Sequence, residues 1–198
     1  MSVIHLLETG GHPMNKMQLT DGKILLRPAE MKDAKEMFSA VRESMAEISS
    51  WIPWKYSFGE SKNWIKTCKK GRKDGTIYDF AITDARDGMI LGDCGLNDIR
   101  KSDKTANLDY WVRTGRTKQG VCTAAALLLA DFGFKELKLN RIEILVAVDN
   151  LASQRVAAKV GAVREGILRN RLLLHGKIHD AVIFSLIPNV VLNPSTEG

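Results

Sequence analysis

The chain has 198 residues, 29 Lys and Arg against 23 Asp and Glu, and a formal charge of +6. That length suits one domain with a short extension, and 44% apolar residues with a mean hydropathy of −0.14 fit an ordinary globular chain. No apolar run nears the ~18 residues a membrane span needs, and the N-terminus, with a short apolar patch and no basic start, does not resemble a signal peptide. Cys68, Cys94 and Cys122 are scattered, odd in number and free of any C-x-x-C. This argues for a reducing cytoplasm and against a disulfide framework or structural zinc. The positive charge gathers in KTCKKGRKD (66–74) and RTGRTK (113–118). Such clusters are either solvated surface or a seat for nucleic acid, acidic membrane or a polyanionic small ligand.

Residues 1–22 show no period and read as an extension. KILLRPA (23–29) reads as a strand stopped by Pro28. Apolar residues from Met31 to Ile48 fall at helical spacing. SSWIPWKYSFGES (49–61) interrupts with Pro53 and the aromatics Trp51, Trp54 and Tyr56, and a short helix over roughly 60–70 follows. Strands are expected at 76–84 and 89–99 around the Asp-Gly turn of ARDG, and again at 106–113. VCTAAALLLADFGFKEL (121–137) is the strongest helix. Arg141–Val148 is a nearly continuous apolar run, the mark of a strand buried on both faces. A helix over 150–160, capped by Asn150 and ended by Gly161, precedes a last hairpin around HGK (175–177). The order β-α-α-β-β-β-α-β-α-β-β describes a mixed α+β domain. Its bounds fall at 23–190, with a tail at 191–198.

The loop between 113 and 121 joins a strand to a helix through two glycines and three cations. A helix N-terminus offers unpaired amides and partial positive charge, and Arg113, Arg116 and Lys118 add to it, so the junction suits a phosphate or diphosphate. It is not a Walker loop, because Val121 and Cys122 stand where Lys and Ser/Thr are required. The dinucleotide fingerprint G-x-G-x-x-G is also absent. Taken alone, the loop could equally be an ordinary connection with solvated charges.

Together, LDYWVR, GRTKQG, VCTAA, RIEILVAV and DNLAS resemble motif A and its sequel in the GCN5-related N-acetyltransferases (GNAT). LRPAEMKDA, SSWIPW, LNRIEILVAVDNLASQRVAAKVGAVREGILR and HGKIHDAVIFSL point within that superfamily to the RimJ/RimL branch, which acetylates protein N-termini, ribosomal proteins included. The resemblance spans roughly 23–190. It implies a mostly antiparallel twisted sheet of about seven strands. Its fourth and fifth strands (106–113 and 141–148) would run parallel and splay around acetyl-CoA, with helices on both faces. The family loop reads Gln/Arg-x-x-Gly-x-Gly/Ala, whereas here Gly115 takes the leading position, Lys118 stands at the first glycine and only Gly120 is kept. By resemblance, the amides of Arg116, Thr117, Lys118, Gln119, Gly120 and Val121 face the pyrophosphate of coenzyme A. The Thr123 hydroxyl lies one turn on, and pantetheine pairs along Trp111, Val112 and Arg113.

The same resemblance makes Ser153 the proton donor to the departing thiolate and Asn150 a partner of the pantetheine amides, though both also suit helix caps. Family glutamates that act as base fall at Asn107 and Leu172, neither of which can accept a proton. Asp109 shares strand parity with Asn107 and is the candidate base. It could instead form a salt bridge, with solvent taking the proton. Trp51, Trp54, Asn107 and Asp109 are expected on the acceptor side, although the tryptophans could serve packing alone. His175 and His179 lie in a hairpin, where H-x-x-x-H is no zinc site, so no metal is expected. Asp180 reads as structural or cleft-edge, and Cys122 as packing.

The leading expectation is a cytoplasmic, acetyl-CoA-dependent N-acetyltransferase acting on the α-amino group of a protein or peptide. It has no membrane partner, nucleic acid would enter only through the ribosome, and a homodimer is compatible. Alternatives are an enzyme for small amines, or a coenzyme A-binding regulator without catalysis whose basic faces touch RNA.

Overall fold

The structure, a computed structural model, describes residues 17–51 and 56–188. Eight strands form one sheet: β1 (Leu19–Thr20), β2 (Ile24–Arg27), β3 (Tyr78–Asp84), β4 (Ile90–Arg100), β5 (Thr105–Val112), β6 (Arg141–Ala147), β7 (Val163–Leu174) and β8 (Lys177–Leu186). Their order is β1-β2-β3-β4-β5-β6-β8-β7, and every pairing is antiparallel except β5–β6. The fourth and fifth strands of the sequence reading are therefore β5 and β6. Four helices, α1 (Ala34–Ile48), α2 (Phe58–Asp74), α3 (Val121–Lys135) and α4 (Leu151–Lys159), complete the fold. No described helix is long and apolar enough to cross a membrane.

The eighth strand lies inside what the sequence reads as an extension. Leu19 and Thr20 pair with Leu26 and Leu25, and Leu19 is fully buried. Asp21 fixes the turn by accepting from the amides of Lys23 and Ile24, both at 2.9 Å. The Asp-Gly pair at 21–22 was the readable signal, masked by a strand of only two residues. α2 is also longer than the expected 60–70, because Ser57 accepts from Glu60 N at 3.2 Å at its start and Gly75 ends it at φ 67.

Strand alternation divides the core in two. Phe80, Ile82, Leu91, Leu96, Leu108 and Ile142 point to the face covered by α3, against Leu129 and Phe132. Phe132 meets the rings of Tyr78 and Phe80 at 5.6 and 6.1 Å. Each such side chain contributes about 1.5–3 kcal/mol on burial. Ala81, Ile90 and Trp111 point the other way, under Met37, Val41 and Ile48 of α1. The entry to α1 is locked by Arg27, whose two terminal nitrogens meet the carboxylate of Asp33 at 2.7 and 2.9 Å. Burial alone would raise the Asp33 carboxyl, but the Arg27 hydrogen bond and the Glu30 amide outweigh it and hold it below the usual range.

Candidate active site between β5 and β6

The parallel pairing of β5 and β6 lasts three residues, Thr105↔Arg141, Ala106↔Ile142 and Asn107↔Glu143. Beyond it both strands continue, β5 to Val112 and β6 to Ala147, without meeting. The gap is a cleft of about 200 Å³ lined by Trp51, Leu108, Asp109, Tyr110, Ile144–Ala147, Asn150, Ser153, Leu172 and Leu174. Arg113 N donates to Leu91 O at 2.6 Å. In an antiparallel ladder, successive residues turn their backbone groups to opposite neighbours. By that alternation Trp111 and Arg113 face β4, while Tyr110 and Val112 turn their amides and carbonyls into the gap, joined by the carbonyl of Leu108, whose amide closes the last step of the β6 ladder. This corrects the expected edge of Trp111, Val112 and Arg113, of which only Val112 faces the gap. The Trp111 side chain packs under α1 instead, and the Arg113 guanidinium pairs with Glu43 at 3.3 Å.

The loop from β5 to α3 begins as a turn pinned to α1. Thr114 N donates to the buried Ser44 Oγ at 3.0 Å, and Thr114 Oγ1 donates to Glu47 at 2.6 Å. The amides of Arg116 and Thr117 close on Arg113 O and Thr114 O at 2.8 and 3.2 Å, so they are not available to a ligand, contrary to expectation. The Arg116 guanidinium lies 4.0 Å from Asp84. The Thr117 hydroxyl and the Gln119 side-chain Nε2 donate back to Thr114 O and Gly115 O within the loop. From there the chain opens. Lys118 at φ 60 and Gly120 at φ 80 are both left-handed. Lys118 thus holds the conformation that the family glycine would supply without strain. No side chain caps α3, and its first main-chain bond is Ala124 N to Gly120 O at 2.9 Å. The amides of Val121, Cys122 and Thr123 consequently have no partner among the described residues. Val121 is buried, Thr123 is half-buried, and burial pushes the Cys122 thiol up to about 12, as suits a packing residue. A free strand edge leading to an uncapped helix start fits an extended, amide-bearing arm that ends in a diphosphate.

Across the gap, the start of α4 supplies both residues expected there. Asn150 Oδ1 accepts from Ser153 N at 3.1 Å, so Asn150 is a helix cap that also lines the cleft. The Ser153 hydroxyl has no partner among the described residues. Tyr110, which the sequence reading passed over, sends its hydroxyl to Ser153 O at 3.0 Å and ties β5 to α4 across the splay. Burial raises its phenol.

On the α1–α2 side, Asp109 is an exposed residue that lines the cleft. Asn97 Nδ2 donates to its Oδ2 at 2.5 Å, and Asn107 Nδ2 donates to Asn97 Oδ1 at 3.1 Å. Asn107 therefore orients the residue that orients Asp109. No Arg or Lys among the described residues pairs with Asp109, so the salt bridge weighed from sequence does not form. Loss of solvent, then the charge of Asp79, raise its carboxyl to about 7 against the Asn97 bond. Trp51 and Leu172 wall the cleft nearby, and His175 Nε2 lies 2.6 Å from Ser49 O, fastening the β7–β8 turn to the end of α1. Trp54 lies outside the described residues. Asp180 accepts from Asn170 N at 2.8 Å and fixes an irregularity in β7, a structural role.

The family model for the acetyltransferase (GNAT) domain matches residues 23–163. The candidate ribosomal N-acetyltransferase YdaF of Bacillus subtilis is 27% identical over 178 residues, covering 83% of this chain and 91% of its own. The probable N-acetyltransferase YjcK of the same organism is 32% identical over 180 residues, covering 88% and 96%. A candidate ribosomal-protein-serine acetyltransferase from Vibrio cholerae superposes with a TM-score of 0.80 at 27% identity, covering 88% and 99%. With the matched span, the splayed parallel pair and the uncapped helix start in agreement, the chain belongs to the GNAT family and is an acetyl-CoA-dependent N-acetyltransferase.

Proposed function

We propose that the enzyme acetylates the α-amino group of a protein or peptide N-terminus in the cytoplasm, by direct attack of the amine in the β5–β6 gap. The observation that carries this reading is one cleft holding Asp109 on the α1–α2 side and Ser153 on the α3–α4 side. The free edge of Leu108, Tyr110 and Val112 receives the pantetheine arm, and the amides of Lys118, Gln119, Gly120 and Val121, with Thr123, receive the diphosphate. Bound acetyl-CoA supplies the thioester carbonyl. Asp109 takes the proton of the attacking amine, for which an affinity near neutrality is well matched. Ser153 Oγ, which has no partner among the described residues, gives its hydrogen to the sulfur as the thioester C–S bond breaks and regains one from water. Trp51 and Leu172 present an apolar wall to the acceptor. The relatives described as candidate ribosomal acetyltransferases support a protein acceptor.

Thiol release from acetyl-CoA tests this with N-terminal peptides set against free amino acids, polyamines and aminoglycosides. Turnover of peptide N-termini, with the α-amine blocked as a silent control, is expected. Turnover confined to small amines would overturn the reading.

A further inference from the structure

β3, β4 and β5 meet at one row, in which Asp79 pairs with Gly95 and Gly95 pairs with Asp109. All three positions face α1 and α2. Gly95 thus stands between two carboxyl groups and lends them its empty side-chain space. A Cβ there would lie 3.1 Å from Asp109 Oδ1 and would overlap Asp79 Oδ1 outright. The two carboxyls are therefore no more than twice that distance apart. Asp79 Oδ1 is buried and has no hydrogen-bond partner among the described residues. Its other oxygen accepts from Cys68 Sγ at 3.5 Å. A buried, unpartnered carboxylate oxygen is costly, and a proton shared with the neighbouring acid removes that cost.

We propose that Asp79 is a positioning residue for the reaction: across the empty step at Gly95 the ionised pair of Asp79 and Asp109, not Asp109 alone, receives the proton of the acceptor amine, and the two carboxyls then hold that proton between them. This rests on the reading of Asp109 as the base. As the new C–N bond forms and the thioester C–S bond breaks, the amine N–H breaks and its proton joins the pair, while the departing thiolate takes a proton from the Ser153 side. The proton on the pair leaves to water through the open cleft when the pair ionises again. Two acids this close titrate as one unit in two steps, the second displaced upward.

The other charged and titratable neighbours among the described residues do not offset this. From α2, Cys68 is pushed up by burial, and Arg72 commits Nη2 to the main-chain oxygen of Asp79 at 2.8 Å. Trp64, also of α2, lies beside Asp79 and acts to lower its carboxyl less than burial raises it, and the Tyr56 phenol nearby is raised by burial. From β4, Asp93 on the same face is driven toward its neutral form by burial and by Asp109, and the exposed Asp98 adds a weaker charge. From the α3 side, burial keeps Cys94 and Cys122 as thiols.

The test is carboxyl carbon NMR on the full-length protein, without ligand, in the wild type, Asp79→Asn and Asp98→Asn. In the wild type the Asp79 and Asp109 signals should move together in two steps. In Asp79→Asn, Asp109 should titrate once, roughly one pH unit or more below the second wild-type step, while Asp98→Asn should shift it less. Independent single-step titrations, or an Asp109 midpoint unmoved by Asp79→Asn, would overturn the pair. Asp79→Asn preserves shape, and coenzyme A binding checks that it is folded. The acid limb of kcat/KM should then move by the same amount and in the same direction. If the NMR midpoint moves and that limb stays fixed, the pairing stands and Asp109 is not the base.

Discussion

The two sides of the β5–β6 gap are built on different principles. The α3–α4 side offers mostly main chain, in the free edge of Leu108, Tyr110 and Val112 and the amides that open α3. The α1–α2 side offers side chains in a polar lattice, Asp79, Asp93, Asn97, Asn107 and Asp109, laid across three strands. Backbone recognition tolerates sequence change, because any residue that holds the dihedral angles keeps the amides in place. Lys118 shows this by occupying a left-handed position at φ 60. Side-chain recognition has no such tolerance. The family base positions read Asn107 and Leu172 here, and the work of proton transfer falls to a neighbouring row.

The sharpest way to separate the two sides is Asp109→Asn. It should lower kcat by roughly 10²–10³-fold and leave coenzyme A affinity unchanged, read by steady-state kinetics beside ligand titration. Equal losses in both would mean that the sides are not independent. The same variant carries a signature in stability. Folding raises the Asp109 carboxyl above its ordinary value of 3.8, so the folded state holds this proton to a higher pH than the unfolded chain does. This group's contribution is therefore greatest at low pH and declines as pH rises through that window. Asp33 runs the opposite way: its carboxyl is lowered on folding, so its contribution is present at neutral pH and lost on acidification. Asp109→Asn should melt higher than the wild type at pH 8 and level with it near pH 4. A constant difference across that range would assign the effect to packing.

A smaller effect is expected at the hinge of the main-chain side. Ser44→Ala removes the acceptor of the Thr114 amide and should cost about 1–2 kcal/mol in urea unfolding. It should also weaken coenzyme A while sparing kcat at saturation. The smallest effect belongs to Lys118→Gly. Relief of the left-handed strain should stabilise the fold by about 1 kcal/mol. Coenzyme A affinity should fall at low salt and respond less to added salt, because a cation is gone. An unchanged salt dependence would turn the Lys118 ammonium away from the ligand.

The sequence carried the frame of this site well. The apolar run at 141–147, the alanine-rich α3 and the cap at Asn150 are local patterns, and they lie where the periodicity puts them. What it could not carry depends on register. Asp79, Gly95 and Asp109 are separated by 16 and 14 positions, and nothing local says that they share a row until strand pairing is known. Which half of the β5 backbone is free depends likewise on its pairing with β4. The loop was legible as an anion seat, but its division into a pinned turn and an open half follows from Ser44, about 70 residues earlier. Leu19–Thr20 escaped because two residues cannot establish a period.

The abrupt end of the β5–β6 ladder at Asn107↔Glu143 also sets a rhythm for solvent exchange along β5. Amide hydrogens at 109 and 111 are held against β4 and that at 108 against β6, whereas those at 110 and 112 have no strand to hold them. Deuterium should enter that stretch at every second residue, and a bound pantetheine arm should silence the alternation without any movement of the sheet.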